Sequence, residues 1–224
     1  MESYRLDKRM LFQDWPAIVI LIIMLVAGLV IYPYLPERVP IHWNAAGQVD
    51  NYGSRIFGAF MLPLLTAGLY LLMLVLPLVD PRKENYPKFL GAYRIIRLAL
   101  VLLMAVLYGI MLVAALGYYV PMDRIMPALL GLLFILIGNY LPQVRYNYFV
   151  GIRTPWTLAD EEVWRRTHRW AGTLYVLAGF LSLLTAFWAR GVVAFVVVIA
   201  ALMLASLLSV IYSLVIFRQV SGRT

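Results

Sequence analysis

"VVAFVVVIAALMLASLLSVIYSLVIF", Val192 to Phe217, contains no charged side chain. About 20 apolar residues carry a helix across the roughly 30 Å hydrocarbon core of a bilayer, where every backbone polar group must be satisfied within the segment. This run therefore reads as a transmembrane helix, and it decides the class of fold. Five runs of the same kind precede it, approximately Pro16–Leu35, Ile56–Val79, Leu98–Val120, Ile125–Leu141 and Gly172–Ala189. None alternates polar and apolar residues as a barrel strand does. The expected fold is all-α, a polytopic membrane bundle of six transmembrane helices. The fourth run is the shortest and holds Asn139. A two-span N-terminal membrane domain (1–92) and a four-span domain (93–224) are the expected organisation.

Composition agrees. Of 224 residues 63% are hydrophobic and 13% charged, and the mean hydropathy is +0.84, whereas a soluble domain is nearer half apolar and a quarter charged. The net charge of +8 reads as basic anchoring of cytoplasmic loops, with no direct nucleic-acid partner. The absence of cysteine excludes disulfides and thiolate chemistry. The first run is too long for a cleavable signal and ends in Tyr-Pro-Tyr-Leu-Pro, where a cleavage site needs small residues.

The loops set an orientation. Arg5, Lys8 and Arg9 at the N-terminus fall on one side of the membrane. So do Arg82, Lys83, Lys88, Arg94 and Arg97 in the second loop, Arg145, Arg153, Arg165, Arg166 and Arg169 in the fourth, and Arg218 and Arg223 at the C-terminus. Only Arg38, Arg55, Arg124 and Arg190 fall on the other. Fifteen against four places both termini in the cytoplasm. The spans hold Thr66, Asn139, Ser182, Thr185, Ser206, Ser209 and Ser213 but no ionisable residue near a helix centre, which argues against a coupled transporter. The Ser and Thr residues are expected to hydrogen-bond between helices. The first and fourth spans both exit through Tyr-Leu-Pro with opposite orientation, a weak sign of an inverted three-plus-three repeat.

Polar residues concentrate in an inner cassette, "NYFVGIRTPWTLADEEVWRRTHRWAG" from Asn147 to Gly172, and an outer loop, "VPIHWNAAGQVDNYGS" from Val39 to Ser54. In the cassette, Pro142 ends the fourth helix and Pro155 biases Thr154 toward an extended backbone. Thr157 and Asp160 form a variant capping box that opens a helix, and Asp160, Glu161 and Glu162 complement its dipole. Glu161–Arg165 and Glu162–Arg166 pair at i,i+4. This helix is expected to lie along the inner membrane surface, with Trp164 and Trp170 at headgroup level, between the fourth and fifth spans. Gly151-Ile-Arg153-Thr154-Pro155-Trp156-Thr157-Leu158 exceeds what a linker needs, and its guanidinium, hydroxyls and indole suit a carboxylate, a phosphate headgroup or a partner peptide. His168 is either packed on the helix or a ligand or proton-transfer group.

In the outer loop, Asn44–Gly47 and Asp50–Gly53 read as turns. His42, Asn44 and Asp50 could meet a ligand or divalent ion, although two histidines and no HExxH spacing give no metal motif. No P-loop or GxSxG element is present, so neither a cofactor nor an enzyme activity is expected.

The run "GNYLPQVRYNYFVGIRTPWTLADEEVWRRTHRWAG" from Gly138 to Gly172 resembles the signature of the SdpI family of bacterial membrane proteins. The outer segment resembles the uncharacterised domain that often precedes it. The resemblance implies immunity to a secreted peptide toxin met outside, in some relatives coupled to capture of a transcriptional repressor inside. It implies an inner partner site at Asn139, Pro142, Arg145, Asn147, Gly151, Arg153, Thr154, Pro155, Trp156, Thr157, Glu161, Trp164, Thr167, His168 and Arg169. An outer one follows at Pro40, His42, Trp43, Asn44, Gly47 and Asp50. Two readings of other classes stay open: a small-molecule or lipid transporter or channel with a polar cavity near Asn139, Thr66 and Ser209, and a membrane enzyme or metal-binding protein using His42 with Asp50 or Glu161 with His168.

Overall fold

A computed structural model describes residues 4–222, so Arg223 of the basic residues counted above lies outside the described residues. A short helix α1 (Lys8–Gln13), capped by the Asp7 side chain on the Met10 N–H at 2.7 Å, precedes six helices long and apolar enough to cross a membrane. These are α2 (Trp15–Ile31), α3 (Arg55–Val79), α4 (Leu90–Ala115), α5 (Met122–Tyr140), α7 (Glu161–Trp188) and α8 (Gly191–Ser221), with a one-turn helix α6 (Pro155–Ala159) between the fourth and fifth spans. A two-stranded antiparallel hairpin, β1 (Arg38–Trp43) and β2 (Val49–Ser54), stands at one end of the bundle. The expected six-span helical bundle is present. The hairpin was not foreseen: Asp50-Asn-Tyr-Gly53, read as a turn, is strand β2.

Two boundaries are corrected. Residues 90–97 belong to α4, because nothing after Pro87 breaks a helix there, so Arg94 and Arg97 are helical and not part of a loop. The expected surface helix is not a separate element. Glu161–Ala171 runs on as the first turns of α7, since no proline interrupts the segment and Gly172 is used for packing.

The spans pack as two groups of three, α2 with α3 and α4, and α5 with α7 and α8, meeting where α4 adjoins α5. The tightest crossing is α5 on α7. A Cβ added at Gly131 would lie 2.7 Å from the Gly179 carbonyl oxygen, and one at Gly138 would lie 2.6 Å from that of Gly172. The relation is reciprocal, since Gly179 and Gly172 would each meet the opposite carbonyl at 2.7 Å. Backbone thus lies on backbone along an antiparallel seam, the arrangement small residues permit where no hydrophobic effect drives helices together. Ser182, Thr185, Ser209, Ser213 and Thr66 are fully buried, but each bonds a carbonyl of its own helix at 2.6–2.8 Å. They serve the spans as small packing residues that satisfy themselves, and not mainly as the interhelical donors expected. Tyr175 to Ser206, at 3.0 Å, does join α7 to α8.

In the first group, Gly28 of α2 lies against the Ala59 carbonyl, which also accepts the Tyr108 hydroxyl at 2.7 Å. At the end away from the hairpin, Arg97 is buried among Tyr70 and Tyr93 and pairs with buried Asp14, which Arg94 and Tyr70 also reach at 3.2 Å. Each group opens with a helix that ends in a one-turn 3-10 segment at Tyr32–Tyr34 or Leu141–Gln143. A polar excursion and two long helices follow in both, and the groups run in opposite directions. The weak Tyr-Leu-Pro repeat therefore coincides with a repeated order of elements.

Candidate functional site

The cassette is built around Asn147, Thr154, Thr157, Thr167 and His168, all of them buried. Asn147 is fully buried: its carbonyl oxygen accepts the Phe149 and Val150 amides at 2.8 and 2.7 Å, and its amide donates to the Arg145 and Val150 carbonyls at 2.7 and 2.9 Å. Such complete satisfaction is what a buried amide requires. The loop between α3 and α4 is stitched to it. Asp80, also buried, accepts the Arg82 amide at 2.7 Å, and at 3.0 Å both the Tyr86 hydroxyl and the Tyr148 amide. The Arg82 guanidinium lies 3.2 Å above the Tyr146 ring.

His168 sits at the centre. Its ring stacks on Trp164 at 4.0 Å, and Trp164 in turn donates from its indole to the Val144 carbonyl at 2.9 Å. Nε2 accepts the Ile152 amide at 3.0 Å, so Nδ1 carries the proton and donates to the Trp164 carbonyl at 2.8 Å. This tautomer is assigned from those partners. With both ring nitrogens taken by backbone, the histidine is a fastener of the Gly151 loop. Gly151 fits for two reasons: its φ is +118°, and a Cβ there would overlap the His168 ring.

The loop then enters α6 through a reciprocal cap. Thr154 Oγ1 accepts the Thr157 amide at 3.1 Å and Thr157 Oγ1 accepts the Thr154 amide at 2.9 Å, so the capping box is Thr154–Thr157 and not Thr157–Asp160. Asp160 caps α7 through the Val163 amide at 2.9 Å. Thr154 also meets Ser213 of α8 at 3.0 Å. The surface ion pair is Glu162 with Arg165, at i,i+3 and not the i,i+4 pairs expected.

Asn147, Thr154, Thr157, Trp164, Thr167 and His168 are therefore assembled but buried, which removes them from direct contact with a partner. Arg145, Arg153, Pro142, Pro155, Glu161 and Arg169 are exposed, and Trp156 is half-buried. Arg153 donates from its guanidinium to the Tyr148 carbonyl at 2.9 Å. Asn139 lies outside the cluster, bonded to the Ile135 carbonyl at 2.8 Å on its own helix. Asp80, Arg82 and Tyr86 were missed; the acid before Pro81 and the aromatic three residues beyond Lys83 are a faint signal for a loop that docks.

At the opposite end, His42 and Asp50 meet across the hairpin at 2.5 Å, both exposed. Asn44 accepts the Ala46 and Gln48 amides at 2.9 and 3.0 Å and so holds the turn. Pro40 is buried and Trp43 half-buried. Gly47 comes against the Asp123 backbone at the start of α5, where a Cβ would lie 2.8 Å from the amide nitrogen. Among the described residues no three His, Cys, Asp or Glu side chains come together to hold a metal ion.

Residues 143–213 match the model of the SdpI/YfhL protein family, and residues 19–67 match that of a domain of unknown function, DUF1648. The chain is similar to Immunity protein SdpI of Bacillus subtilis (strain 168), 28% identical over 206 residues that cover 92% of this chain and 96% of that one. No solved structure matches significantly. The resemblance to the SdpI family read from the cassette motif agrees with the region that the family model matches, and the first matched region ends within α3, beyond the hairpin.

Proposed function

We propose that this SdpI-family chain is a membrane immunity protein that protects a bacterial cell from a secreted peptide, with the hairpin outside and the cassette and both termini in the cytoplasm. The likeness to an immunity protein over nearly the full length of both chains carries the reading. The loop charges support the orientation. The interlocked cassette supports a rigid platform presenting Arg145, Arg153 and Arg169, and an acidic face of a cytoplasmic repressor is the partner this surface fits. The test is survival of sensitive cells expressing the chain when grown beside a peptide-secreting producer strain. Protection by the wild type, lost in Arg153→Ala at unchanged membrane levels, is expected. Full sensitivity of cells with normal wild-type levels would overturn the reading.

The repeated element order favours a transporter as the second reading. Thr66 and Ser209, however, are buried and bonded within their own helices, and they do not line a path near Asn139.

A further inference from the structure

Two cavities adjoin the hairpin. One, of about 390 Å³, lies where the two three-helix groups meet: β1 and the turn give it His42, Trp43 and Asn44, α4 gives Met111, and α5 gives Asp123 and Met126. Its depth is apolar and includes three methionines, Met111, Met122 and Met126, whose unbranched side chains adapt to varied guests. Asp123 is the one ordinarily ionised side chain on its wall, and the Gly191 amide at 3.3 Å engages one oxygen of that carboxylate. The other cavity, of about 770 Å³, is a more open groove on the other face of the hairpin, bounded by Arg38, Gln48, Tyr52 and Tyr119. The two share Trp43, Gly47 and Asp123, so they adjoin each other at the hairpin turn.

We propose that this pair of cavities is the peptide-binding site. Two or three apolar side chains enter the inner cavity, a cationic group pairs with Asp123 at the shared rim, and the flanking peptide lies extended in the open groove. The inner volume falls at the lower end of the roughly 300–1,000 Å³ of pockets that engulf a drug-sized molecule, which suits a few side chains and not two acyl chains. The adjoining groove suits a chain longer than a small molecule. The lone carboxylate selects the sign of the guest's charge. The proposal deepens the immunity reading and rests on it for the origin of the peptide.

The cysteine-free sequence makes the test direct. Full-length protein carrying Met126→Cys is placed in nanodiscs of phosphatidylethanolamine and phosphatidylglycerol and treated with a membrane-impermeant maleimide. Tyr34→Cys, 72% exposed at the same end, is the control. The probe is the N-acetylated and C-amidated tetrapeptide Lys-Leu-Leu-Phe, beside Glu-Leu-Leu-Phe capped in the same way. The lysine peptide is expected to slow labelling at position 126 about tenfold and leave position 34 unchanged, and the glutamate peptide and Asp123→Asn to lose that protection. Met126→Trp, read through Leu130→Cys, fills the cavity while keeping the Asp123 carboxylate and is expected to abolish the peptide effect. No slowing by the lysine peptide, or equal slowing by both peptides, overturns the proposal. So does a thiol blocked by bilayer lipid alone, reactive only in short-chain detergent. Normal survival of cells carrying Met126→Trp beside the producer strain would sink the cavity and leave immunity standing. Failure of the wild type to protect would sink immunity and leave the labelling result intact.

Discussion

His168 shows how a residue's chemistry can be hidden by its setting. In sequence it is a lone titratable group beside arginines, and ligand or proton-transfer roles are open to it. In the fold it is closed on both nitrogens by backbone, and its face is closed by Trp164. His168→Ala should strand the Ile152 amide and open a cavity under the loop, costing about 3 kcal/mol. The measurement is thermal unfolding in detergent together with protease sensitivity near Gly151. Gly151→Ala should cost about 1–3 kcal/mol from backbone conformation alone, with the ring clash added. Arg153→Ala should leave the melting temperature within a degree or two of wild type, because that side chain is exposed. A His168→Ala protein that melts normally yet loses protection would reinstate the ligand role.

At the scale of elements, helix existence was legible and helix use was not. The apolar runs announce six spans, because length and hydrophobicity are local properties. The start of α4 was misread because charge was taken as a sign of loop, and the continuity of α7 because its charged first turns were taken as a separate surface helix. Arg97 in fact points to Asp14 across the bundle, a contact no periodicity reveals. The hairpin escaped because its strands are short and broken by register irregularities near His42. The α5–α7 seam makes a clear prediction. Gly138→Leu or Gly131→Leu should separate the two helices and remove most folded protein, seen as loss of a monodisperse peak in size-exclusion chromatography. Gly109→Leu, where nothing lies within 4 Å of the added Cβ, should not. Asp14→Ala should cost about 3–5 kcal/mol by leaving the buried Arg97 guanidinium unpaired, and adding Arg97→Leu should recover a large part of the loss.

At the scale of the whole molecule, the two polar segments have unlike characters. The cassette is a closed network joined to α8 and the Asp80 loop, whereas the hairpin is bordered by space on both faces. Motif density in the sequence marked both places but could not separate them, because density records that residues are specified and not whether they specify a fold or a contact. Single-cysteine labelling should find Asn51→Cys reactive from outside intact cells and Ala159→Cys reactive only after permeabilisation; the reverse pattern would overturn the orientation. The seam also bears on biogenesis. The fourth and fifth spans, the two least apolar of the six, share the closest backbone contact. The fourth leaves the ribosome first and has no glycine partner until the cassette and the fifth have been made. Its residence in the bilayer is then provisional, and the two helices should be retained by the insertion machinery and released together as one unit.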